Sequence, residues 1–232
     1  MSRTTVLCLP FAGAGAAHFR PWEDRAGTDL QIAPLQLPGR ERRIGEPAFR
    51  DVAQAVEALL PEALERAGSE PVVLFGHSLG AVLAFELAQR LATAPGTSLQ
   101  RLFVSGSPGP WTKRSRRATG LPDDEFLARV QEFAGYDHAA LRFPEMRELI
   151  LPTLRADVEM HENYEPSAQA PLPAPITSLR GRDDELVDTE RAGEWSKATA
   201  REFDLVELPG GHMYLTDSVD RLLDLIRNAV RG

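Results

Sequence analysis

At 232 residues with 43% hydrophobic side chains, the chain can bury one substantial core, and a single domain over residues 1–232 is the economical expectation. The net charge of −8 argues against non-specific binding to nucleic acid, which depends on basic surface. A single cysteine excludes an internal disulfide framework, and the opening MSRTTVLCLP carries neither a leader pattern nor a membrane-length apolar run, which predicts a cytoplasmic protein.

The first strand is predicted at 4–9, where Cys8 within VLCL reads as a small buried hydrophobe. The loop behind it, Pro10-Phe11-Ala12-Gly13-Ala14-Gly15-Ala16, consists largely of small residues that let main chain come close to a substrate. Gly13-x-Gly15 is not a dinucleotide fingerprint, because His18 stands where the third glycine belongs. A second strand is predicted at 30–36 and a helix at 51–66. In that helix Val52, Ala55, Val56, Leu59, Leu60 and Ala63 form an apolar stripe, and Pro61 predicts a kink.

PVVLF at 71–75 is a short continuous apolar run of the kind a strand buried on both faces shows. After Gly80, the run AVLAFELAQRLA places Val82, Leu83, Phe85, Leu87 and Leu91 at the spacing of a helix over 79–92. Between the two stands Gly76-His77-Ser78-Leu79-Gly80. Strand, tight turn and helix around Gly-x-Ser-x-Gly match the nucleophile elbow of a serine hydrolase, with Ser78 at a helix N-terminus where free N–H groups favour negative charge. The plainer alternative is a glycine-bounded serine in an ordinary loop. A serine hydroxyl is a weak nucleophile at neutral pH, so the elbow demands a base and a group to orient that base, in the chain order serine, acid, histidine. The oxyanion donors would be the backbone N–H groups of Leu79 and of Ala12 in the loop after the first strand, with Phe11 the next choice.

A strand at 100–105 ends with Ser105, Gly106 and Ser107, and no carboxylate, at the place where this arrangement sometimes carries its acid. Residues 110–165 then break the alternation of strand and helix. Their helical patterns put Phe126, Leu127, Val130 and Phe133 on one face and Leu149, Ile150 and Leu154 on another, which reads as a helical lid lining an acyl channel. A helical subdomain that only packs is the alternative. His161-Glu162 is followed by Asn163 and Tyr164, so the zinc-binding His-Glu-x-x-His is absent, and neither a metal nor a cofactor is expected. PSAQAPLPAP at 166–175 reads as an extended connector.

A strand at 175–180, a helix at 189–199, a strand at 203–208 and a helix at 217–230 restore the alternation, which predicts an α/β fold with a mostly parallel sheet covered on both faces. The loop after the first of these strands carries Asp183, Asp184 and Glu185 in a row, and composition does not choose between them. After the second, Pro209-Gly210-Gly211 leads to His212, the histidine placed behind the last strand. His18, His77, His138 and His161 read as surface or packing histidines.

Taken together, LPFAGAGAAHF, LPGRE at 37–41, GHSLGA, LPTLRAD at 151–157, GRDDELV and PGGHMYL resemble the type II, or editing, thioesterases that accompany polyketide synthases and nonribosomal peptide synthetases. The resemblance runs over nearly the whole chain and implies an α/β-hydrolase fold with 110–165 as its helical lid. The family's glycine-x-x-aspartate pattern places the acid on Asp184, which makes Ser78, Asp184 and His212 the implied triad, with Phe11 and Met213 as expected substrate contacts. The chain departs from many relatives at Gly13-Ala14-Gly15, where paired glycines are common, and at Gly135-Tyr136-Asp137, where a Gly-Gly-x-Pro-like turn is often found.

The reaction so implied is hydrolysis of an acyl thioester on the phosphopantetheine arm of an acyl or peptidyl carrier protein, removing stalled or wrongly primed chains. A generic esterase, an acyl-CoA thioesterase or an acyltransferase of the same fold would use the same three residues, whereas a non-catalytic module would not need them. Two basic clusters, Arg40, Arg42 and Arg43, then Lys113, Arg114, Arg116 and Arg117, are candidates for steering an acidic carrier protein, against the alternative of solvated surface.

Overall fold

The computed structural model describes residues 3–113, 117–134, 141 and 143–231, with the backbone alone at 133 and 134. Six strands form one sheet: β1 (Thr4–Leu9), β2 (Leu30–Pro34), β3 (Pro71–His77), β4 (Ser98–Ser105), β5 (Ile176–Gly181) and β6 (Phe203–Leu208). Their order is β2-β1-β3-β4-β5-β6, and every neighbouring pair is parallel. The helices are α1 (Arg20–Glu23), α2 (Val52–Ala67), α3 (Leu79–Thr93), α4 (Asp123–Ala134), α5 (Pro144–Glu162), α6 (Thr189–Gly193) and α7 (Val219–Arg231).

Successive side chains of a strand point to opposite faces, so a strand covered on both sides must be apolar throughout. Leu7, Leu9, Val72 and Leu74 pack with Val56 and Leu59 of α2 and Leu83 and Leu87 of α3. Their neighbours Val6, Cys8, Val73 and Phe75 pack the other way, with Phe19, Trp22 and the Leu222, Leu223 and Ile226 stripe of α7. Cys8 is buried, and burial, with a smaller push from Glu23, drives its thiol far above the usual range, which removes it as a nucleophile.

Several boundaries differ from the sequence expectation, each for a local reason. Asp51 caps α2 from outside, its carboxylate accepting from the Gln54 N–H at 2.9 Å. The helix runs on through Pro61, which stands on the exposed face where a carbonyl freed by the missing N–H can meet water. The helix expected at 189–199 gives way after Gly193 to a 3-10 turn, Glu194–Ala198. That turn drives Trp195 into the core, 5.4 Å from the Phe85 ring centroid and with its indole N–H on the Ser107 carbonyl at 2.9 Å.

The 110–165 segment supplies α4 and α5. Phe126, Leu151 and Leu154 join Ala118 in an apolar cluster separate from the two sheet faces. Leu149 does not share that face and is 49% exposed. The Phe133 side chain, His138 and the Gly135-Tyr136-Asp137 turn lie outside the described residues. Met160 and Tyr164 dock the end of α5 and the following residues on the α3 side of the core. Among the described residues no helix is long and apolar enough to cross a membrane.

Trp195→Ala removes a fully buried ring and its hydrogen bond, and it should lower unfolding free energy by about 3–5 kcal/mol. Urea denaturation of the two proteins measures the difference, and a loss below about 1 kcal/mol would show that the 3-10 turn does not depend on the ring.

Candidate active site

Ser78 follows β3 directly and opens α3. Its backbone lies at φ 53° and ψ −115°, a region that side-chain-bearing residues seldom occupy. The flanking glycines are required by contact. A Cβ on Gly76 would lie 1.9 Å from the Gly80 carbonyl oxygen, and one on Gly80 would lie 2.2 Å from that of Leu9. The Ser78 N–H donates to the Ser105 carbonyl at 2.8 Å, which fixes the turn to β4. Leu79 is the first residue of α3, so its N–H has no acceptor within the helix.

Leu9 is in register with Gly76, so the loop behind β1 leaves the sheet beside this turn. Residues 11–14 form a turn closed by the Ala14 N–H on the Phe11 carbonyl at 3.0 Å. Gly13 stands at its third position with φ 79°, as a type II turn demands.

The third and fourth segments of the site are the loops behind β5 and β6. The Asp184 side chain is fully buried, one oxygen accepting from the N–H groups of Leu186 at 2.8 Å and Val187 at 3.1 Å. The other oxygen is 2.9 Å from His212 Nδ1. Burial alone would raise the carboxyl's pKa, but the His212 hydrogen bond and charge, with the two backbone donors, outweigh it and hold Asp184 below its ordinary value. An ionised carboxylate has no proton to give, so Nδ1 of His212 is the donor in this bond. Asp183 and Glu185 face solvent. Close approach of the two loops depends on Gly181, where a Cβ would lie 2.2 Å from the Gly211 carbonyl oxygen.

A cavity of about 480 Å³ opens over this meeting point. Ser78, His212, Met213, Phe11 and Ala12 line its floor. Leu127 and Val130 of α4 and Ile150 and Leu154 of α5 give it an apolar wall. Phe11, Ala12, Ser78, His212 and Met213 thus meet at one cavity, Asp184 stands behind His212, and Leu79 is not among the lining residues. Among the described residues no hydrogen bond joins Ser78 to His212, whose side chain is bonded to Asp184. Nor is any group of three His, Cys, Asp or Glu side chains arranged to hold a metal.

Three features were not legible as site components. His77, expected to be a packing histidine, is fully buried with its ring centroid 4.9 Å from that of His212. Its Nδ1 is 2.7 Å from the Ser105 hydroxyl, which is 2.6 Å from the Tyr214 hydroxyl. Burial, reinforced by His212, His18 and His161, pushes its pKa well down, so it stays neutral beside His212. Arg180, buried at the end of β5, braces the acid loop through its Nε on the Val187 carbonyl at 2.8 Å and pairs with Glu207. A charged residue at an inward strand position, in PITSLRG, was the signal for it.

The third is Arg40. It does not belong to a free basic surface: it is buried and paired with Asp157 of α5. Arg43 is engaged by Glu46 at 2.5 Å, and Arg42 lies 3.6 Å from Glu62. In the other cluster Lys113 is exposed and Arg117 binds Asn163 at 2.5 Å, while Arg114 and Arg116 lie outside the described residues.

A group whose pKa is lowered by folding stabilises the fold fully above its ordinary value and loses that contribution as pH falls through the lowered one. Asp184→Asn should therefore be less stable than the parent at pH 7 and pH 5, with the gap closing as the pH drops below 3.8. Urea midpoints at pH 7, 5 and 3 test this, and a gap of constant size would mean that the carboxylate charge is not what the loop donors hold.

The sequence profile of the family described as thioesterase domain matches residues 4–230. Among curated proteins, the gramicidin S biosynthesis protein GrsT of Aneurinibacillus migulanus is 30% identical over 231 residues, 99% of this chain and 90% of that protein. The probable anguibactin biosynthesis thioesterase AngT of Vibrio anguillarum is 32% identical over 96% of this chain and 89% of its own. Among solved structures, the type II thioesterase BorB from the borrelidin biosynthetic cluster superposes with a TM-score of 0.85 at 34% identity, covering 98% of this chain and 92% of that one. RedJ, a thioesterase of the prodiginine pathway in Streptomyces coelicolor, gives 0.87 at 33% identity over 97% and 85%. The architecture shared with them is the α/β-hydrolase fold.

Proposed function

The chain belongs to the thioesterase family, a group of hydrolases acting on thioesters, and from that premise we propose that it is an editing enzyme of polyketide or nonribosomal peptide biosynthesis whose triad is Ser78, His212 and Asp184. Its substrate in this reading is an acyl group on the phosphopantetheine arm of a carrier protein. The observation that carries it is a buried aspartate 2.9 Å from a histidine that shares one cavity with a positive-φ serine.

In the first half-reaction Ser78 Oγ adds to the thioester carbonyl carbon while His212 Nε2 takes the hydroxyl proton. Asp184 holds the ring in the tautomer that leaves Nε2 free and stabilises the imidazolium. The carbonyl oxygen becomes an oxyanion facing the Ala12 and Leu79 N–H groups, each such donor being worth about 2.7–4 kcal/mol of transition-state stabilisation. Collapse breaks the carbon–sulfur bond, and the departing sulfur receives the proton from His212. In the second half-reaction His212 takes a proton from water as its oxygen attacks the acyl-serine, and collapse returns the proton to Ser78 and frees the carboxylic acid.

Phe11, Met213 and the lid-helix wall would hold the acyl chain. The wall is apolar over Leu127, Val130, Ile150 and Leu154, which favours an alkyl or alkyl-like segment there, while His18, Arg40, Glu41 and Gln131 also line the cavity.

Ser78→Ala is expected to lower kcat for an acyl-carrier-protein thioester by about 10⁴-fold or more, and Asp184→Asn by about 10⁴-fold through the wrong tautomer. Both are read as free acid released in single turnover. A Ser78→Ala enzyme working at the parental rate would sink the assignment, and equal kcat/KM on carrier-bound and small thioesters would leave a thioesterase without the carrier-protein role.

A further inference from the structure

We infer that the Arg40–Asp157 ion pair positions the oxyanion loop from the lid helix α5. The inference rests on the proposed role of the Ala12 N–H and concerns what holds that group in place.

Asp157 is fully buried and Arg40 nearly so. Two parallel bonds join them, Arg40 Nη1 to Asp157 Oδ2 at 2.6 Å and Nη2 to Oδ1 at 2.7 Å, the fork-on-fork geometry that fixes orientation as well as distance. Neither residue has only the other. Asp157 Oδ2 also accepts from the Gly13 N–H at 2.7 Å, and Arg40 Nη1 also donates to the Ala14 carbonyl at 3.0 Å. The pair therefore grips the turn at 11–14 by two groups on the far side of Ala12 from β1.

Helix α5 presents this grip as one face. Thr153, one turn before Asp157, donates its hydroxyl to the Gly39 carbonyl at 2.7 Å, and Leu154 stands against Gly13, where an added Cβ would lie 3.0 Å from its Cδ1. Leu154 also lines the cavity wall, so the helix that faces the acyl chain is the helix that holds the turn. No other described side chain hydrogen-bonds to the Gly13 N–H or the Ala14 carbonyl. Without the pair, the turn keeps its link to β1, the bond from Ala14 to Phe11 and the apolar packing around Ala12, but it loses the side-chain hydrogen bonds that fix the Gly13 N–H and the Ala14 carbonyl. Arg40 also lines the cavity, but its guanidinium is taken up by Asp157 and by the Ala14 and Pro38 carbonyls, so in this inference both are positioning residues that act on the oxyanion through Ala12.

The test uses Asp157→Asn and Arg40→Lys, which respectively remove the acid's charge and replace the fork with a single point charge. Circular dichroism and thermal melting first establish which variants fold; if Asp157→Asn does not, Arg40→Lys decides by the same readouts. A displaced donor should lower kcat about 10–100-fold with KM within about twofold. Two inhibitors separate positioning from general pocket damage. A trifluoromethyl ketone analogue of the acyl-pantetheine thioester captures Ser78 Oγ at its carbonyl carbon, with the hydroxyl proton passing to His212 and the carbonyl oxygen becoming the oxyanion. A thioether analogue of the same length has no carbonyl at that place. Affinity for the ketone should fall with kcat while affinity for the thioether holds. Parental kcat in a folded variant, or equal loss of both inhibitors, overturns the inference. A parent enzyme that does not prefer the ketone overturns the oxyanion assignment itself, and the inference with it.

Discussion

The backbone turn at Ser78 is the constraint from which the rest of the site follows. A side-chain-bearing residue at a φ of 53° costs on the order of 1–3 kcal/mol and persists only where its surroundings leave no alternative. Here three contacts do so: Gly76 against Gly80, Gly80 against the Leu9 carbonyl, and the Ser78 N–H on Ser105. Their partners come from the ends of β1, β3 and β4. The chain runs outward from β1 to β2 and back to β3, so β1 and β3 are neighbours and their following loops open on the same crevice, the switch point where parallel sheets take ligands.

Asp184 and His212, the acid and base of the proposed triad, reach that crevice by a different device. They stand on loops behind β5 and β6, strands paired from Ile176 with Phe203 to Gly181 with Leu208, so the two loops begin side by side. Their contact is backbone on backbone at Gly181, which leaves Asp184 and His212 little freedom except toward each other. His77 adds a ring beneath His212 without adding charge, because burial keeps it neutral.

Sequence legibility tracked how local the determinants are. The turn at Ser78 was legible because its glycines, apolar strand and amphipathic helix are all adjacent in the chain, although Leu9 and Ser105, which also fix it, are not. The choice among Asp183, Asp184 and Glu185 was not open to composition, because the loop's path decides which carboxylate turns inward; only the resemblance to known thioesterases pointed to Asp184. The Arg40–Asp157 pair spans 117 positions. Nothing in LPGRE or LPTLRAD signals it, since a charge on a loop and a charge on a helix read as solvated until the fold brings them together. The same blindness made Arg40 look like part of a docking surface. Helix 189–199 failed for another reason: burying Trp195 against Phe85 outweighed the helical pattern.

Among the described residues five Asp, Glu and Arg side chains are buried: Arg40, Glu86, Asp157, Arg180 and Asp184. Each holds a segment outside the sheet, and Arg180 also pairs across from β5 to Glu207 of β6. Arg40 and Asp157 hold the loop behind β1, Arg180 and Asp184 hold the loop behind β5, and Glu86 accepts from Tyr164 and Ser167 to hold the segment behind α5. Replacing a buried ion pair by apolar groups is often neutral or stabilising, so stability alone does not account for these five. Apolar packing has no direction, and a loop without ladder partners needs donors and acceptors at definite points. An alanine or leucine at 157 would leave the Gly13 N–H without its acceptor and Arg40 without its counter-charge. The carboxylate at 157 is accounted for by the loop it grips rather than by the helix that carries it.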